Sequence, residues 1–119
     1  MDSIELRNKY PKLFRESSRL EIGSGWVPLL EEVCIYLENS NLPIYFTQIK
    51  EKFGELRIDF TGKNVSLNGL LEAYDFVEQI QERAKNICEL CGRYYPATNW
   101  SNGWCQSLCE KCIEQKEIK

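Results

Sequence analysis

Two short cysteine pairs constrain this chain more than anything else in it: Cys88-Glu-Leu-Cys91-Gly92 and Cys109-Glu-Lys-Cys112, separated by 17 residues. Two-residue spacing lets one tight turn present both thiolates to one tetrahedral ion, and a pair of such turns completes a four-sulfur site. Gly92 supplies the positive backbone angle that such a knuckle needs. Between the pairs, Tyr94, Tyr95, Pro96, Asn99, Asn102 and Gly103 read as a short hairpin with Asn-Gly at its turn. Ile113 to Ile118 has a helical composition after the second pair. A knuckle, a hairpin and a pair at a helix start form a treble-clef-like arrangement, and the helix N-terminus favours thiolates at Cys109 and Cys112. The expected cofactor is one structural zinc on Cys88, Cys91, Cys109 and Cys112. Two disulfides, an iron centre and a redox pair are the other uses of this pattern.

The rest of the composition narrows the chemistry. The chain has 119 residues, six cysteines, no histidine and a net charge of −3. Without histidine there is no Ser-His-Asp or Cys-His catalysis and no imidazole-bearing zinc site. No two carboxylates are placed to face each other, so no enzyme activity is expected. A start of Met-Asp-Ser-Ile-Glu lacks the basic and apolar blocks of an export signal, and no apolar run spans a bilayer. The expected compartment is therefore a reducing cytoplasm, where clustered cysteines favour metal over disulfides. Cys105 is a spare thiol beside the finger, with replacement of one of the four ligands or ready oxidation as its other uses, and Cys34 lies on an apolar helix face as a core residue.

Hydrophobic periodicity outlines what precedes the finger. Residues 2–9 read as a short helix stopped at Pro11, and Tyr10 to Phe14 as a bent connector with apolar anchors. Gly23-Ser24-Gly25 reads as a flexible turn. Leu29, Leu30, Val33, Cys34 and Leu37 recur at helical spacing over 29–38, with Pro28 in the first turn and Asn39-Ser40-Asn41 and Pro43 at the end. Residues 44–51 are β-rich; after Gly54, Leu56, Ile58 and Phe60 alternate with Arg57 and Asp59. These two stretches predict an antiparallel hairpin. Leu70, Leu71, Tyr74, Val77, Ile80, Ala84 and Ile87 give a helix over about 68–86 its apolar stripe.

The fold class is α+β: helices packed on a β-hairpin with a C-terminal treble-clef-like zinc finger. Trp26 and Phe60 are expected in the core. The expected divisions are a helix–hairpin–helix core over 1–87 and a four-cysteine finger over 88–119. Candidate binding residues are Lys50, Lys52 and Arg57 at the charged hairpin end, and Arg93, Tyr94, Tyr95, Trp100 and Trp104 in the finger. The finger aromatics suit base stacking, a protein contact or simple packing of a tiny module, and interleaved glutamates weaken a phosphate path.

Several blocks also carry a resemblance. Lys9-Tyr10-Pro11-Lys12-Leu13-Phe14, Gly23-Ser24-Gly25-Trp26-Val27-Pro28-Leu29-Leu30, and Gln48-Ile49-Lys50-Glu51-Lys52-Phe53-Gly54-Glu55-Leu56-Arg57 resemble, in order, blocks of a family of small phage and prophage proteins. The cysteine pairs resemble that family's ending. In those relatives the last ligand is often histidine, whereas here it is Cys112; Cys105 is an addition. The resemblance implies a protein-binding role in a host bacterial cytoplasm, with inhibitors of bacterial defence nucleases, anti-CRISPR proteins among them, as the implied class. A nucleic-acid-binding adaptor or regulator is the alternative.

Overall fold

The structure, a computed structural model, describes residues 2–94, 108, 109, 111 and 112. Among these, three helices and a three-stranded sheet occur in the order α1 (Ser3–Lys9), β1 (Phe14–Glu21), a 3-10 turn (Ser24–Trp26), α2 (Val27–Ser40), β2 (Ile44–Lys52), β3 (Glu55–Gly62) and α3 (Leu67–Ala84). The α+β class is as expected. No helix among the described residues is long and apolar enough to cross a membrane.

The helix ends follow from their sequences. Asp2 caps α1 by accepting the Glu5 N–H at 2.8 Å, and Ser66 caps α3 by accepting the Gly69 N–H at 3.1 Å. Pro28 occupies the first turn of α2, and Asn41 closes that helix in the left-handed conformation at φ 56°. Arg83 joins α3 to α2 by a two-pronged ion pair with Glu32, at 2.8 and 3.0 Å. Beside it the rings of Tyr36 and Phe76 stack at 4.3 Å.

The expected hairpin is β2 and β3, paired antiparallel through a two-residue turn in which Phe53 and Gly54 have φ of 53° and 80°. Both positive angles mark a type I′ turn, whose twist suits the flanking strands. The register slips between Phe46 and Gln48. That bulge changes the strand's parity, so Phe46 and Ile49, three positions apart, both reach the core.

The sheet has a third strand that the sequence reading missed. Phe14–Glu21 pairs parallel with β2, so the order is β1-β2-β3. A parallel neighbour needs a crossover, and α2 supplies it. The strand is hard to see because its pairing jumps from Phe14↔Phe46 to Arg19↔Gln48. The looped-out residues between are polar, and backbone groups of Arg15 and Ser18 are met locally. Ser18 is buried; its hydroxyl accepts from the Arg15 N–H and donates to the Phe46 carbonyl. Arg7 reaches from α1 to the Ser18 and Arg15 carbonyls, both at 2.9 Å.

The core holds Trp26 and Phe60 as expected, together with Leu6, Tyr10, Leu13, Phe14, Leu30, Val33, Leu37, Phe46, Ile49, Leu56 and Ile80. Tyr10 and Leu13 are thus the apolar anchors read from the connector. The stripe of α3 is rotated from the expectation: Ala73, Val77, Ile80 and Ala84 are buried, while Leu71 and Tyr74 are 56% and 49% exposed. Small alanines at the contact line let the helix sit close, which turns the larger side chains outward.

One polar cluster ties α1 to α2. Glu31 accepts from Lys9 Nζ at 2.7 Å and from the Tyr10 hydroxyl at 3.0 Å. The Lys9 hydrogen bond, helped by Tyr10 and opposed by burial, holds the Glu31 carboxyl below its ordinary range. A depressed carboxyl contributes stability above its unfolded pKa, and that contribution is lost as pH falls through the folded value. Tyr10→Phe should therefore lower the unfolding free energy by about 1 kcal/mol at neutral pH. Glu31→Gln should reduce the slope of stability against pH in the acid range below pH 4.5, read by urea melts at a series of pH values.

Candidate metal centre

The chain leaves α3 at Ala84 and turns through Lys85 and Asn86 straight into the first cysteine pair. The knuckle is closed by backbone bonds: the Cys88 N–H donates to the Arg93 carbonyl at 2.8 Å and the Gly92 N–H to the Cys88 carbonyl at 2.9 Å. An isolated bridge pairs Ile87 with Tyr94. Gly92 has φ 76°, the left-handed angle read for it from the sequence.

This knuckle does not hang free, because the Gly23–Trp26 segment grips it. The Gly25 N–H donates to the Glu89 carbonyl at 2.6 Å, and the Gly23 N–H to the Glu89 carboxylate at 2.9 Å. The Ser24 hydroxyl donates to the Leu90 carbonyl at 2.9 Å, and Trp26 Nε1 to the Ile87 carbonyl at 2.8 Å. A methyl group on Gly25 would land on the Cys88 carbonyl and the Gly92 amide nitrogen; one on Gly23 would land on the Glu89 carbonyl. Gly23-Ser24-Gly25 is therefore a seat for the knuckle and not the flexible turn expected. Its two glycines are there because two backbones meet.

The four expected ligands converge. The sulfurs of Cys88, Cys91, Cys109 and Cys112 all lie within 4.8 Å of one another, so they can hold one metal ion. Cys91 Sγ and Cys109 Sγ are 3.7 Å apart. A tetrahedral ion with metal–sulfur bonds of about 2.3 Å requires sulfur separations of about 3.8 Å, far longer than a disulfide of about 2.05 Å. Cys88 and Cys109 are buried, Cys112 is half-buried and Cys91 is exposed.

The Cys88 and Cys112 thiols are pushed in opposite directions. Burial opposes ionisation of Cys88, but backbone groups of Cys91, Cys109 and Leu90 outweigh it and bring the thiol down to about 6. Cys112 is pushed up to about 12 by burial and by the neighbouring sulfurs of Cys88, Cys109 and Cys91. A cation among the sulfurs reverses that mutual repulsion, which is what this donor set requires to be fully ionised. Cys34 is different: burial, then Glu31 and Glu38, push its thiol up to about 12, in keeping with an inert core residue.

The candidate binding residues fall in separate places. Lys50 and Arg57 face each other across β2 and β3, and Lys52 faces Glu55 next to the turn. Arg93 and Tyr94 are exposed at the exit of the knuckle. Among the described residues no hydrogen bond, ion pair or ring contact joins the two sets. Tyr95, Trp100, Trp104 and Cys105 lie outside the described residues. The seat residues Gly23, Gly25 and Trp26 were missed as part of the site; the signal was two glycines flanking one serine immediately before a tryptophan.

No family model, curated protein or solved structure matches this chain.

Gly25→Ala tests the seat directly. The added methyl should cost about 2–3 kcal/mol and speed metal loss to a chromogenic chelator. A Gly25→Ala protein with unchanged metal retention and melting would show that the knuckle does not depend on this contact.

Proposed function

We propose that the chain is a zinc-stabilised interaction protein with no catalytic chemistry of its own. The observation that carries this reading is the closed cage of four sulfurs. Four thiolates complete a tetrahedron and leave no position for water or substrate, which is the arrangement of a structural ion. Zinc suits soft tetrahedral sulfur and brings no redox demand. Its role here is to fasten the segment carrying Cys109 and Cys112 to a knuckle already seated on the core.

The hairpin tip supports a contact role. Phe53 is 71% exposed and holds φ 53°, an angle at which a bulky side chain is disfavoured and asparagine or glycine is normal. Strain kept at an exposed aromatic residue points to a partner. Lys52 Nζ lies 5.8 Å from the ring centroid, and the Gly54 N–H donates to the Glu51 carboxylate at 2.7 Å, fixing the turn in advance. The partner we infer is a host defence nuclease, such as a CRISPR effector, inhibited by direct binding in a bacterial cytoplasm. The resemblance to phage and prophage proteins supports this, as does a net charge of −3, which favours encounter with a basic nucleic-acid enzyme. Arg93 and Tyr94, the latter 73% exposed, support a nucleic-acid-binding adaptor as the second reading.

The test uses the full chain purified from a bacterial cytoplasm. About one zinc per chain is expected by elemental analysis, and Cys88→Ser or Cys109→Ser should lose the metal and the thermal transition of the C-terminal segment. Capture should recover a defence nuclease that survives nuclease digestion and whose cleavage activity the protein suppresses. Recovery of nucleic acid alone, with binding that weakens steeply in salt, would move the reading to the adaptor. Phe53→Asn separates folding from contact: it should stabilise the chain by about 0.5–1 kcal/mol while weakening partner binding.

A further inference from the structure

The two edges of the sheet are unlike. At one edge, β1 is interrupted by its looped-out residues and by Ser18 and Arg7, which occupy the local backbone groups. At the other, β3 runs unbroken from Glu55 to Gly62, with no proline, and its core-facing side chains Leu56, Ile58 and Phe60 are all apolar. Bulges, proline and inward charges, three of the devices that blunt natural edge strands, are absent from β3; it carries outward Arg57 and Asp59 and is met at Ile58 by Gln81 of α3.

The register shows which of its backbone groups are open. Lys52 and Glu55 flank a two-residue turn, so they exchange hydrogen bonds, and so do Lys50 and Arg57. The N–H and C=O groups of Leu56, Ile58 and Phe60 therefore point away from β2. One contact bears this out: the Ile58 N–H donates to Gln81 Oε1 of α3 at 2.8 Å. A side-chain amide stands where the next strand's carbonyl would be. The outward groups of Leu56 and Phe60 have no hydrogen bond from any described residue. A groove of about 370 Å³ runs along this edge between β3 and α3, with Tyr74, Glu78 and Lys85 on its helical wall.

We propose that the β3 edge pairs with the β3 edge of a second copy of this chain, antiparallel and centred on Ile58. Charge selects both the occupant and the register. On the solvent face β3 carries Arg57 and Asp59, and neither makes an ion pair with a described residue. Only three antiparallel registers keep the outward groups of Leu56, Ile58 and Phe60 opposite one another near the strand's middle. A pairing of residue 56 with 58 sets Arg57 against Arg57, and one of 58 with 60 sets Asp59 against Asp59. The pairing of Ile58 with Ile58 sets Arg57 against Asp59 twice and Leu56 against Phe60 on the core face. Opposite charges directly across a strand pair stabilise it and like charges oppose it. The contact is isologous and closes on itself as a dimer with a continuous six-stranded sheet, and Gln81 turns aside as the Ile58 groups exchange bonds.

A charge exchange on the full chain tests this. Sedimentation equilibrium from micromolar to millimolar concentration should show a dimer. Arg57→Asp and Asp59→Arg, both at exposed positions, should each raise the dimer dissociation constant by about tenfold or more. Mixing the two variants should restore a one-to-one heterodimer, since the centred register then opposes unlike charges again. Arg19→Asp on β1, at the far edge, should leave the dimer intact. A chain that stays monomeric throughout would overturn the proposal, including one whose β3 edge instead takes up an extended peptide from another protein. So would variants that leave dimerisation unchanged, or a mixture that fails to restore it.

Discussion

The contact on which the rest of the site depends is the close approach of two backbones, Gly23–Trp26 on one side and Cys88–Gly92 on the other. No side chain could replace it, because the space between them admits no Cβ on Gly25. Its consequence is positional. The seat lies between β1 and α2, and the buried Trp26 ring anchors it in the core while its Nε1 holds the Ile87 carbonyl. The first cysteine pair is thereby fixed by the same packing that holds the sheet against its helices. A defect in the core is therefore felt at the sulfurs of the first pair.

This arrangement divides the work of building a four-sulfur centre. The knuckle that carries Cys88 and Cys91 is held by hydrogen bonds from Gly23, Ser24, Gly25 and Trp26 to Ile87, Glu89 and Leu90, and is closed by the Cys88–Arg93 and Gly92–Cys88 backbone bonds. The second pair lies beyond 17 intervening residues. Bringing two such points of a chain together costs conformational entropy that grows only slowly with their separation, whereas an ion held by the four sulfurs would contribute folding free energy outright. A half-built site waiting on the core lowers the number of groups the ion has to order. The physical expectation is that metal binding and the convergence of Cys109 and Cys112 on the first pair occur together.

What could be read from the residues divides along the same physical line. The cysteine cage was legible because C-x-x-C spacing is dictated by the geometry of one turn around one ion. Helices α2 and α3 and the β2–β3 hairpin were legible because their apolar residues recur at the period of the element. Strand β1 was not, since only Phe14 and Leu20 carry its pattern and the looped-out polar residues break the alternation. The exposure of Leu71 and Tyr74 was not, because rotation of α3 is set by the small contact residues Ala73 and Ala84. The seat for the knuckle was not either: a Gly-Ser-Gly stretch is silent about whether its glycines serve freedom or proximity, and only the opposing backbone decides.

The sheet's asymmetry has the same origin as the seat. The chain commits its N-terminal third to satisfying local backbone: Arg7 and Ser18 close the looped-out turn of β1, and Gly23 to Trp26 close on the knuckle. Nothing comparable among the described residues is spent on β3. Its one satisfied outward group is met by Gln81, a long and partly exposed side chain that gives up that bond at little cost when a better acceptor arrives. An unsatisfied buried amide costs about 1–3 kcal/mol, but one beside an open groove can use water until a strand replaces it. An edge held in this way is hydrated alone and keeps its outward groups available. The Arg57 and Asp59 that keep it wetted are also the residues whose signs select a single register.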